Sequence, residues 1–269
     1  YKKYIEKETE KILLNEKSIQ NELIPTKRNK SVKNFKSEIG KRAEVKFGNR
    51  RLIGIILKIY DKLPENLPYD KSKIRPIIRV LDEKPILTFE LINIGKWMSN
   101  YYITPIGEVL SSIIPSGKKE TEASAFSFVE EFPNNKEIIL SDEQKKAINE
   151  ILNSDLSSNN YHYLYGTTGS GKTEVFLQVA KAILKKGKGI IYLVLEIGLS
   201  LRFGSTVAVL HSGLTPSQRL SEWNRILNKE ARIVIGARSA VFAPVPDLGL
   251  IIIDEEHDGS YKSNISPRY

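Results

Sequence analysis

Residues 166–173 read GTTGSGKT, between the stretch YHYLYG, which ends at Gly166, and the stretch KTEVFLQVAKAILKK, which begins at Lys172. The first stretch predicts a strand. In the second, apolar residues recur every three or four positions, which predicts a helix closed by Gly187. The spacing G-x-x-x-x-G-K-[ST] in this strand-to-helix context indicates a phosphate-binding loop. A chain of this length matches the pattern by chance on the order of one time in a hundred, so we accept the motif.

The loop predicts a set of nucleotide-binding residues. Its glycines let backbone N–H groups close around phosphates, and the N-terminus of the following helix adds favourable partial charge. Lys172 is expected to reach the β and γ phosphates, and Thr173 to hold magnesium. The predicted nucleotide-binding residues of the loop are Gly166, Thr167, Thr168, Gly169, Ser170, Gly171, Lys172 and Thr173.

A second phosphate-related motif is IIIDEEH at residues 251–257, where an apolar strand delivers acidic residues at its carboxyl end. Ligands of doubly wound sheets bind at that edge, so we expect Asp254 to face magnesium and Glu255 to face a water near the γ-phosphate. An acidic strand end by itself is more often a solvated turn. Because this chain also carries a phosphate-binding loop, the functional interpretation is favoured. The predicted catalytic residues are Lys172, Asp254 and Glu255.

Helix and strand patterns alternate from about residue 138 to residue 269. Ser141 and Gln144 fit a capping box that opens the helix DEQKKAINEIL, and Thr215 with Gln218 fits a second one. The strands are predicted at GIIYLVL, VAVLH, RIVIGA and LGLIIID. Continuous apolar strands separated by helices predict an α/β domain with a parallel sheet covered on both faces.

The first half of the chain predicts a smaller, β-rich domain over residues 35–115. AEVKF, GNRR and LIGIILKI predict a hairpin over residues 43–59, and PIIRVLD predicts another strand. Thr88 is expected to cap a helix through Tyr102, with its apolar and aromatic residues in the core. The aromatic and apolar residues in question are Phe89, Ile92, Trp97 and Tyr101. Residues 1–34 predict a charged arm, and residues 116–137, which lose periodicity, predict a linker.

Composition narrows the class of partner. The 269 residues include 41 Lys and Arg against 32 Asp and Glu, a net charge of +9, which favours a polyanionic partner, nucleic acid before a membrane surface. The chain has no Cys, which excludes disulfides and thiolate zinc sites within it and favours a reduced intracellular compartment. No apolar run approaches the roughly 18 residues of a spanning helix, so we expect a soluble, cytoplasmic protein without membrane contact.

Several stretches together carry a resemblance to a known family. GTTGSGKT with DEEH resembles the DEAH-type pattern of superfamily 2 helicases, and further stretches are similar to the primosomal replication-restart helicases, the PriA family. In the second half these stretches are LVLEIGLS at 193–200, VAVLHSGLTPSQRLSEW at 207–223 and GARSAVFAP at 236–244. In the first half KRAEVKFGNRRLIGIIL, IIRVLDEKPIL and YYITPIGEVL resemble that family's 3′-end DNA-binding domain. The resemblance covers roughly residues 39–115 and 138–269.

The resemblance implies further site residues. Gln144 matches a position that reads the adenine, although its place in a capping box explains it equally well. Arg238 and Ser239 match a segment that lines a single-stranded DNA track. Residues 257–269 match an aromatic-rich loop that couples DNA contact to hydrolysis, with His257, Tyr261 and Tyr269 as DNA contacts by position or stacking. Gly48 and Arg75 correspond to a pocket for the 3′ end of a nascent strand, with Arg75 where Lys is expected.

The function implied by the resemblance is that of an ATP-dependent 3′→5′ DNA helicase that restarts replication at stalled or branched forks. Residues 138–269 would be its first RecA-like lobe, with ATP and Mg²⁺ as cofactors. DNA, single-strand-binding protein and primosome or helicase-loading proteins would be its partners. The second lobe, which supplies an arginine finger, and a Cys-rich zinc module lie outside these 269 residues. We therefore expect no zinc in this chain, weak ATP binding and almost no hydrolysis by the chain alone.

Other interpretations of these residues remain open. A RecG-like fork-remodelling helicase is disfavoured because DEEH stands where DEQH is expected. A non-enzymatic DNA-binding module that only retains nucleotide, or a phosphate-loop kinase, would also carry the loop. The resemblance also implies a winged-helix domain without a counterpart in residues 116–137, and about one further helix after LVLEIGLS.

Overall fold

The structure is a computed structural model that describes residues 38–60, 70, 74–117, 139–154, 160–167, 169–194 and 207–261. The arm predicted over residues 1–34 and nearly all of the linker predicted over residues 116–137 lie outside the described residues. The described residues up to 117 belong to one compact unit and those from 139 to 261 to another.

The first unit contains a three-stranded antiparallel sheet. Its strands are β1 (Arg42–Phe47), β2 (Arg50–Ile55) and β3 (Ile77–Val80), in the order β2-β1-β3. The predicted hairpin is confirmed, since Phe47 pairs with Arg50 across a turn. The predicted third strand is also confirmed. A small core of Ala43, Ile56 and Val80, with Ile59 and Ile77 against it, lies on one side of the sheet.

Two helices follow the sheet in the described part of the first unit. Helix α1 (Phe89–Tyr101) begins as predicted at Thr88, whose hydroxyl group accepts a hydrogen bond from the Leu91 N–H group at 3.3 Å. Helix α2 (Ile106–Ile113) was not predicted. The two helices pack closely, because a Cβ atom on Gly95 would lie 2.5 Å from Leu110 Cδ2.

The predicted core role of three aromatic residues in α1 is wrong. Phe89, Trp97 and Tyr101 are 70%, 59% and 66% exposed, whereas Ile92 is buried as predicted. The buried face of α1 consists of Leu91, Ile92, Gly95, Met98 and Ser99. Its small residues admit the close approach of α2, and the aromatic side chains therefore lie on the opposite side of the helix.

The buried guanidinium group of Arg42 connects three separate segments of the first unit. Arg42 Nη2 lies 2.6 Å from Asp82 Oδ1, and the Arg42 N–H group donates to Asp82 Oδ2 at 2.7 Å. Arg42 Nη1 also donates to the Gly117 carbonyl group. The side chains of Arg42 and Asp82 are only 4% and 11% exposed. One side chain of β1 therefore holds the segment after β3 and the segment after α2.

The second unit is an α/β layer structure, as predicted. Its strands β4 (Gly189–Leu193), β5 (Val207–Leu210), β6 (Ile233–Gly236) and β7 (Leu248–Ile253) form a parallel sheet in the order β5-β6-β4-β7. The helices in its described residues are α3 (Asp142–Asn153), α4 (Lys172–Lys185) and α5 (Pro216–Leu227). Short 3₁₀ turns span Arg238–Phe242 and Gly259–Tyr261. Both predicted capping boxes are present.

The core of this sheet lies on both faces of β4, every residue of which is buried. Ile190 and Tyr192 pack with residues of α3 and α4 in one cluster. β7 departs from the predicted two-sided burial, since Ile251 and Ile253 are exposed on the face opposite the buried Ile252. None of the described helices is long and apolar enough to cross a membrane.

The strand predicted at YHYLYG is wrong. Residues 160–167 form no strand in the described part of the chain. Tyr161, Tyr163 and Tyr165 are 93%, 73% and 86% exposed, whereas Leu164 packs against the core cluster of the second unit. Aromatic content predicted a strand, but a strand also needs a neighbour for its backbone hydrogen bonds.

The Arg42 contact gives a stability prediction. Replacing Arg42 by Leu leaves the Asp82 carboxylate nearly buried and without its cation, and breaking such a pair costs about 3 kcal/mol or more. We expect this loss in the free energy of unfolding of the first unit, measured by hydrogen exchange of the β1 amide groups. Arg51→Gln is the matched control, because the Arg51 side chain is 70% exposed and 3.8 Å from Glu44. Its loss should stay under about 1 kcal/mol, and equal losses in both variants would contradict the prediction.

Candidate nucleotide-binding site

The predicted phosphate loop connects residues 160–165, which form neither helix nor strand, to the first turn of α4. Gly169 and Gly171 both have φ of +83°, a left-handed conformation that favours glycine. A Cβ atom on Gly171 would lie 2.3 Å from Gln144 Nε2, and one on Gly166 would lie 2.6 Å from Ser170 Oγ. The described part of the loop is therefore a tight backbone turn that side chains at its glycines would disrupt. Thr168 lies outside the described residues.

The ammonium group of Lys172 places a positive charge against the backbone of this loop. Lys172 Nζ donates hydrogen bonds to the carbonyl groups of Gly166 at 2.7 Å and Thr167 at 3.0 Å. Gly171 is the N-cap of α4, and no side chain caps the helix there. The helix N-terminus carries partial positive charge and N–H groups without intrahelical partners. Lys172, Thr173 and the loop backbone thus fit a phosphate group, and Thr173 supplies a hydroxyl group in the first helical turn.

Gln144 lies against the loop and also caps α3. Its Oε1 atom accepts a hydrogen bond from the Ser141 N–H group at 2.9 Å, and its own N–H group donates to Ser141 Oγ at 3.2 Å. Its Nε2 atom donates to the Gly171 carbonyl group at 3.4 Å. The capping interpretation is confirmed, and adenine recognition stays a prediction.

The acidic residues form a turn directly after β7. The Asp254 N–H group donates to the Leu193 carbonyl group at 3.0 Å, which continues the pairing of β7 with β4. Glu255 has φ of +52°, a conformation that costs about 1–3 kcal/mol in a residue other than glycine. Strained backbone of this kind is common at functional sites. Asp254 is half-buried, and Glu255 is exposed.

Three tyrosine hydroxyl groups hold this turn. Tyr192 donates to Asp254 Oδ2 at 3.1 Å, Tyr261 donates to the Asp254 carbonyl group at 2.8 Å, and Tyr163 donates to Glu256 Oε1 at 3.3 Å. Burial, followed by the charge of Asp254, raises the pKa of Tyr192 far above its ordinary value. The same two causes raise the pKa of Tyr261 to about 12. Both hydroxyl groups therefore stay protonated, and can donate, throughout the physiological pH range.

The sheet topology brings the loop and the acidic turn to one edge. Helix α4 ends at Lys185, and a short connection leads to the start of β4 at Gly189, so α4 runs antiparallel to the strands. Its N-terminus therefore lies at the carboxyl edge of the sheet, where β7 delivers Asp254. This is the edge at which open α/β sheets bind ligands. Tyr192 and Tyr163 were missed in the sequence, because their contacts join residues 62 and 93 positions apart.

The predicted DNA-contact residues of the second unit lie at the same edge. Arg238 and Ser239 are half-buried in the 3₁₀ turn that follows β6. This turn packs closely on the end of β6, since a Cβ atom on Gly236 would lie 2.7 Å from Ala240 Cβ. His257 is exposed, with Nδ1 3.9 Å from Glu256 Oε2. Tyr269 lies outside the described residues.

In the first unit, the predicted pocket residues Gly48 and Arg75 lie toward the same end of the sheet. Gly48 is in the β1–β2 turn with φ of +58°. Arg75 is exposed and precedes β3 by two residues. Because β3 is antiparallel to β1 and Val45 pairs with Ile77, Arg75 lies beyond that pair in the direction of Phe47 and the turn.

Two protein families match the chain. Residues 30–115 match the family described as 3′DNA-binding domain (3′BD). Residues 137–267 match the family described as Type III restriction enzyme, res subunit. The first match covers the antiparallel sheet and its helices, and the second covers the parallel sheet with the loop and the acidic turn.

Curated relatives with the name Replication restart protein PriA also match. The relative from Treponema pallidum is 43% identical over 239 residues, which cover 86% of this chain and 36% of the relative. Those from Bacillus subtilis and Haemophilus influenzae are 49% and 32% identical, covering 51% and 86% of this chain but 18% and 42% of the relatives. The chain thus spans less than half the length of each of these relatives. With a matching 3′ DNA-binding domain and relatives that cover most of its length, the chain belongs to the PriA family of replication restart proteins.

Proposed function

We propose that this chain is the nucleotide-binding and DNA-binding part of an ATP-dependent 3′→5′ DNA helicase. The complete enzyme would act at stalled or branched replication forks in the bacterial cytoplasm and restart replication through primosome assembly. The observation that carries the proposal is the arrangement of Lys172 on the phosphate loop and Asp254 after β7 at one edge of a parallel sheet. Membership in the PriA family and the match to a 3′DNA-binding domain support the choice of substrate.

In this proposal ATP binds with Mg²⁺ on the phosphate loop. The ion would supply positive charge that offsets the negative charge of the phosphates. Thr173 and Asp254 hold the ion, Lys172 binds the β and γ phosphates, and Glu255 orients the attacking water. The glycines of the loop allow the backbone to approach the phosphates. Gln144, whose amide nitrogen already lies 3.4 Å from the Gly171 carbonyl oxygen, reads the adenine.

Domain 35–115 binds the 3′ end of a nascent strand near Gly48 and Arg75. Domain 138–269 is the first RecA-like lobe, and its single-stranded DNA track includes Arg238, Ser239, His257, Tyr261 and Tyr269. Single-strand-binding protein and primosome or helicase-loading proteins are the proposed partners of the complete enzyme. The second lobe and a zinc module are proposed to lie in the part of the complete enzyme that these 269 residues do not include.

The first test of the nucleotide site is Lys172→Ala. The substitution removes the charge that now lies on the loop carbonyl groups, and a hydrogen bond to a charged group contributes about 1.5–3 kcal/mol. We expect the affinity of the chain for a fluorescent ATP analogue to fall by about tenfold or more. In the complete enzyme, hydrolysis should be abolished while DNA binding is largely kept.

Lys181→Ala is the control for this test, because Lys181 is an exposed lysine of the same helix. It loses the same charge without approaching the loop and should bind the analogue as the unsubstituted chain does. Equal affinities of the Lys172 and Lys181 variants would contradict the proposed nucleotide site.

The second test concerns hydrolysis by the chain alone. Arginine fingers contribute about 10³–10⁵ in turnover, and in superfamily 2 helicases the second lobe supplies this residue. We therefore expect ATP binding but almost no hydrolysis, with or without DNA, in a phosphate-release measurement. Robust DNA-stimulated hydrolysis by these 269 residues would show that they contain a complete catalytic site.

The third test concerns the DNA track. Arg238→Gln should weaken binding of single-stranded DNA and reduce the slope of log affinity against log salt by about 0.7, the value for one phosphate contact. Fluorescence anisotropy with single-stranded, duplex and fork DNA, at several salt concentrations and with and without ATP, measures both quantities.

Lys229→Gln is the matched control for the DNA track. Lys229 is exposed and precedes β6, at the edge of the sheet opposite Arg238, where it lies 3.8 Å from Asp247. Its substitution should leave the slope unchanged. Binding without salt dependence and without fork preference would contradict the proposed DNA function.

A further inference from the structure

Tyr192 is a polar residue in an otherwise aliphatic core. In the described residues the buried cluster beneath α3 and α4 contains, apart from Tyr192, only Ile, Val and Ala side chains. These are Ile148, Val175, Val179, Ala180, Ile183, Ile190, Val194, Val207, Ile233, Ile235 and Ile252. Burying a hydroxyl group costs free energy unless the group forms a hydrogen bond. A phenylalanine would fill nearly the same volume without that cost, so packing alone does not explain this tyrosine.

The hydroxyl group of Tyr192 finds its partner at the candidate magnesium site. It donates to Asp254 Oδ2 at 3.1 Å. The parallel register pairs Tyr192 with Ile252, and Asp254 follows Ile252 by two residues. Because alternate residues of a strand share a face, Asp254 continues the buried face of β7, just beyond the end of the core. The geometry thus directs a buried hydroxyl group at one oxygen of a half-buried carboxylate.

Tyr192 also contacts the helix that carries the other half of the site. Its ring packs edge-to-face against Phe176 of α4, with 6.0 Å between ring centroids and 77° between planes. Phe176 lies one turn after Lys172 and Thr173, the first two residues of α4. A single side chain therefore touches both α4, next to the phosphate loop, and the acidic turn.

We propose that Tyr192 is a positioning residue that orients the Asp254 carboxylate for a magnesium ion bound with nucleotide. The hydrogen bond to Oδ2 restrains rotation of the carboxylate, so that Oδ1 is presented in a fixed direction. The contact with Phe176 keeps this carboxylate at a constant position relative to Thr173. The inference rests on the proposed function of the phosphate loop and Asp254, and it adds a residue that neither phosphate motif contains.

The test is Tyr192→Phe in the 269-residue chain, with a fluorescent ADP analogue titrated in EDTA and at increasing Mg²⁺ concentrations. Loss of a partner that orients a metal ligand lowers metal affinity about 10–100-fold. We expect the Mg²⁺ concentration for half-maximal enhancement of nucleotide binding to rise by about tenfold or more. Nucleotide affinity in EDTA should stay unchanged. A merely structural role would lower both affinities together.

Tyr161→Phe is the matched control, because it removes the hydroxyl group of a tyrosine that is 93% exposed and that forms no hydrogen bond with the acidic turn in the described residues. Its Mg²⁺ response should equal that of the unsubstituted chain. Tyr192→Met, which also lacks the hydroxyl group, should reproduce the shift of Tyr192→Phe, so that the result does not depend on how one variant packs. Circular dichroism checks that each variant is folded.

Asp254→Asn completes a double-mutant cycle. If Tyr192 acts through Asp254, the variant with both Tyr192→Phe and Asp254→Asn responds to Mg²⁺ as Asp254→Asn alone does. An unshifted Mg²⁺ response in Tyr192→Phe, or a double variant worse than Asp254→Asn, would overturn the proposal while leaving the nucleotide site intact. An unsubstituted chain that binds nucleotide without any Mg²⁺ response would instead overturn the proposed metal site, and the role of Tyr192 with it.

Discussion

The parallel pairing of β4 with β6 and β7 is the constraint on which the candidate site depends. Leu193, the last residue of β4, pairs with Gly236 on one side and with Ile253 on the other. Neighbouring strands are about 4.8 Å apart, so the ends of β6 and β7 lie about 10 Å from each other. The 3₁₀ turn with Arg238 follows β6, and the acidic turn with Asp254 follows β7. One row of backbone hydrogen bonds therefore sets the spacing between the candidate DNA track and the candidate metal ligand.

Much of this architecture could be predicted because its signals are local. Capping boxes at Ser141 and Thr215 mark helix starts within four residues, and continuous apolar runs mark buried strands. Helix α2 gave no such signal, since it follows Pro105 without a side-chain cap and has only eight residues. The strand predicted at YHYLYG and the buried aromatic residues predicted in α1 failed for a different reason. Aromatic content records a tendency to be buried, but tertiary packing decides which face receives a partner.

The residues of the candidate site also fall into two groups, those that the local sequence predicts and those whose contacts appear only in the structure. The spacing of Gly166, Gly171 and Lys172 predicted the loop, because the loop closes within eight residues and its geometry is set by the local backbone. The contact between Tyr192 and Asp254 joins residues 62 positions apart, and no spacing rule indicates it. Gln144 shows an intermediate case, since a local motif predicted its cap but not its approach to the Gly171 carbonyl group. Long-range contacts of this kind follow from strand order, which the sequence pattern does not specify.

The backbone of the acidic turn depends on these long-range contacts for its conformation. Glu255 in the left-handed region costs about 1–3 kcal/mol. The two backbone hydrogen bonds of Asp254 each contribute about 0.5–1.5 kcal/mol. On one side of Glu255, Asp254 donates to the Leu193 carbonyl group and accepts from the Tyr261 hydroxyl group. On the other side, Glu256 accepts from Tyr163. These contributions match the strain in size, so the geometry of Glu255 is set jointly by β4, by the 3₁₀ turn at Tyr261 and by the segment that leads into the phosphate loop.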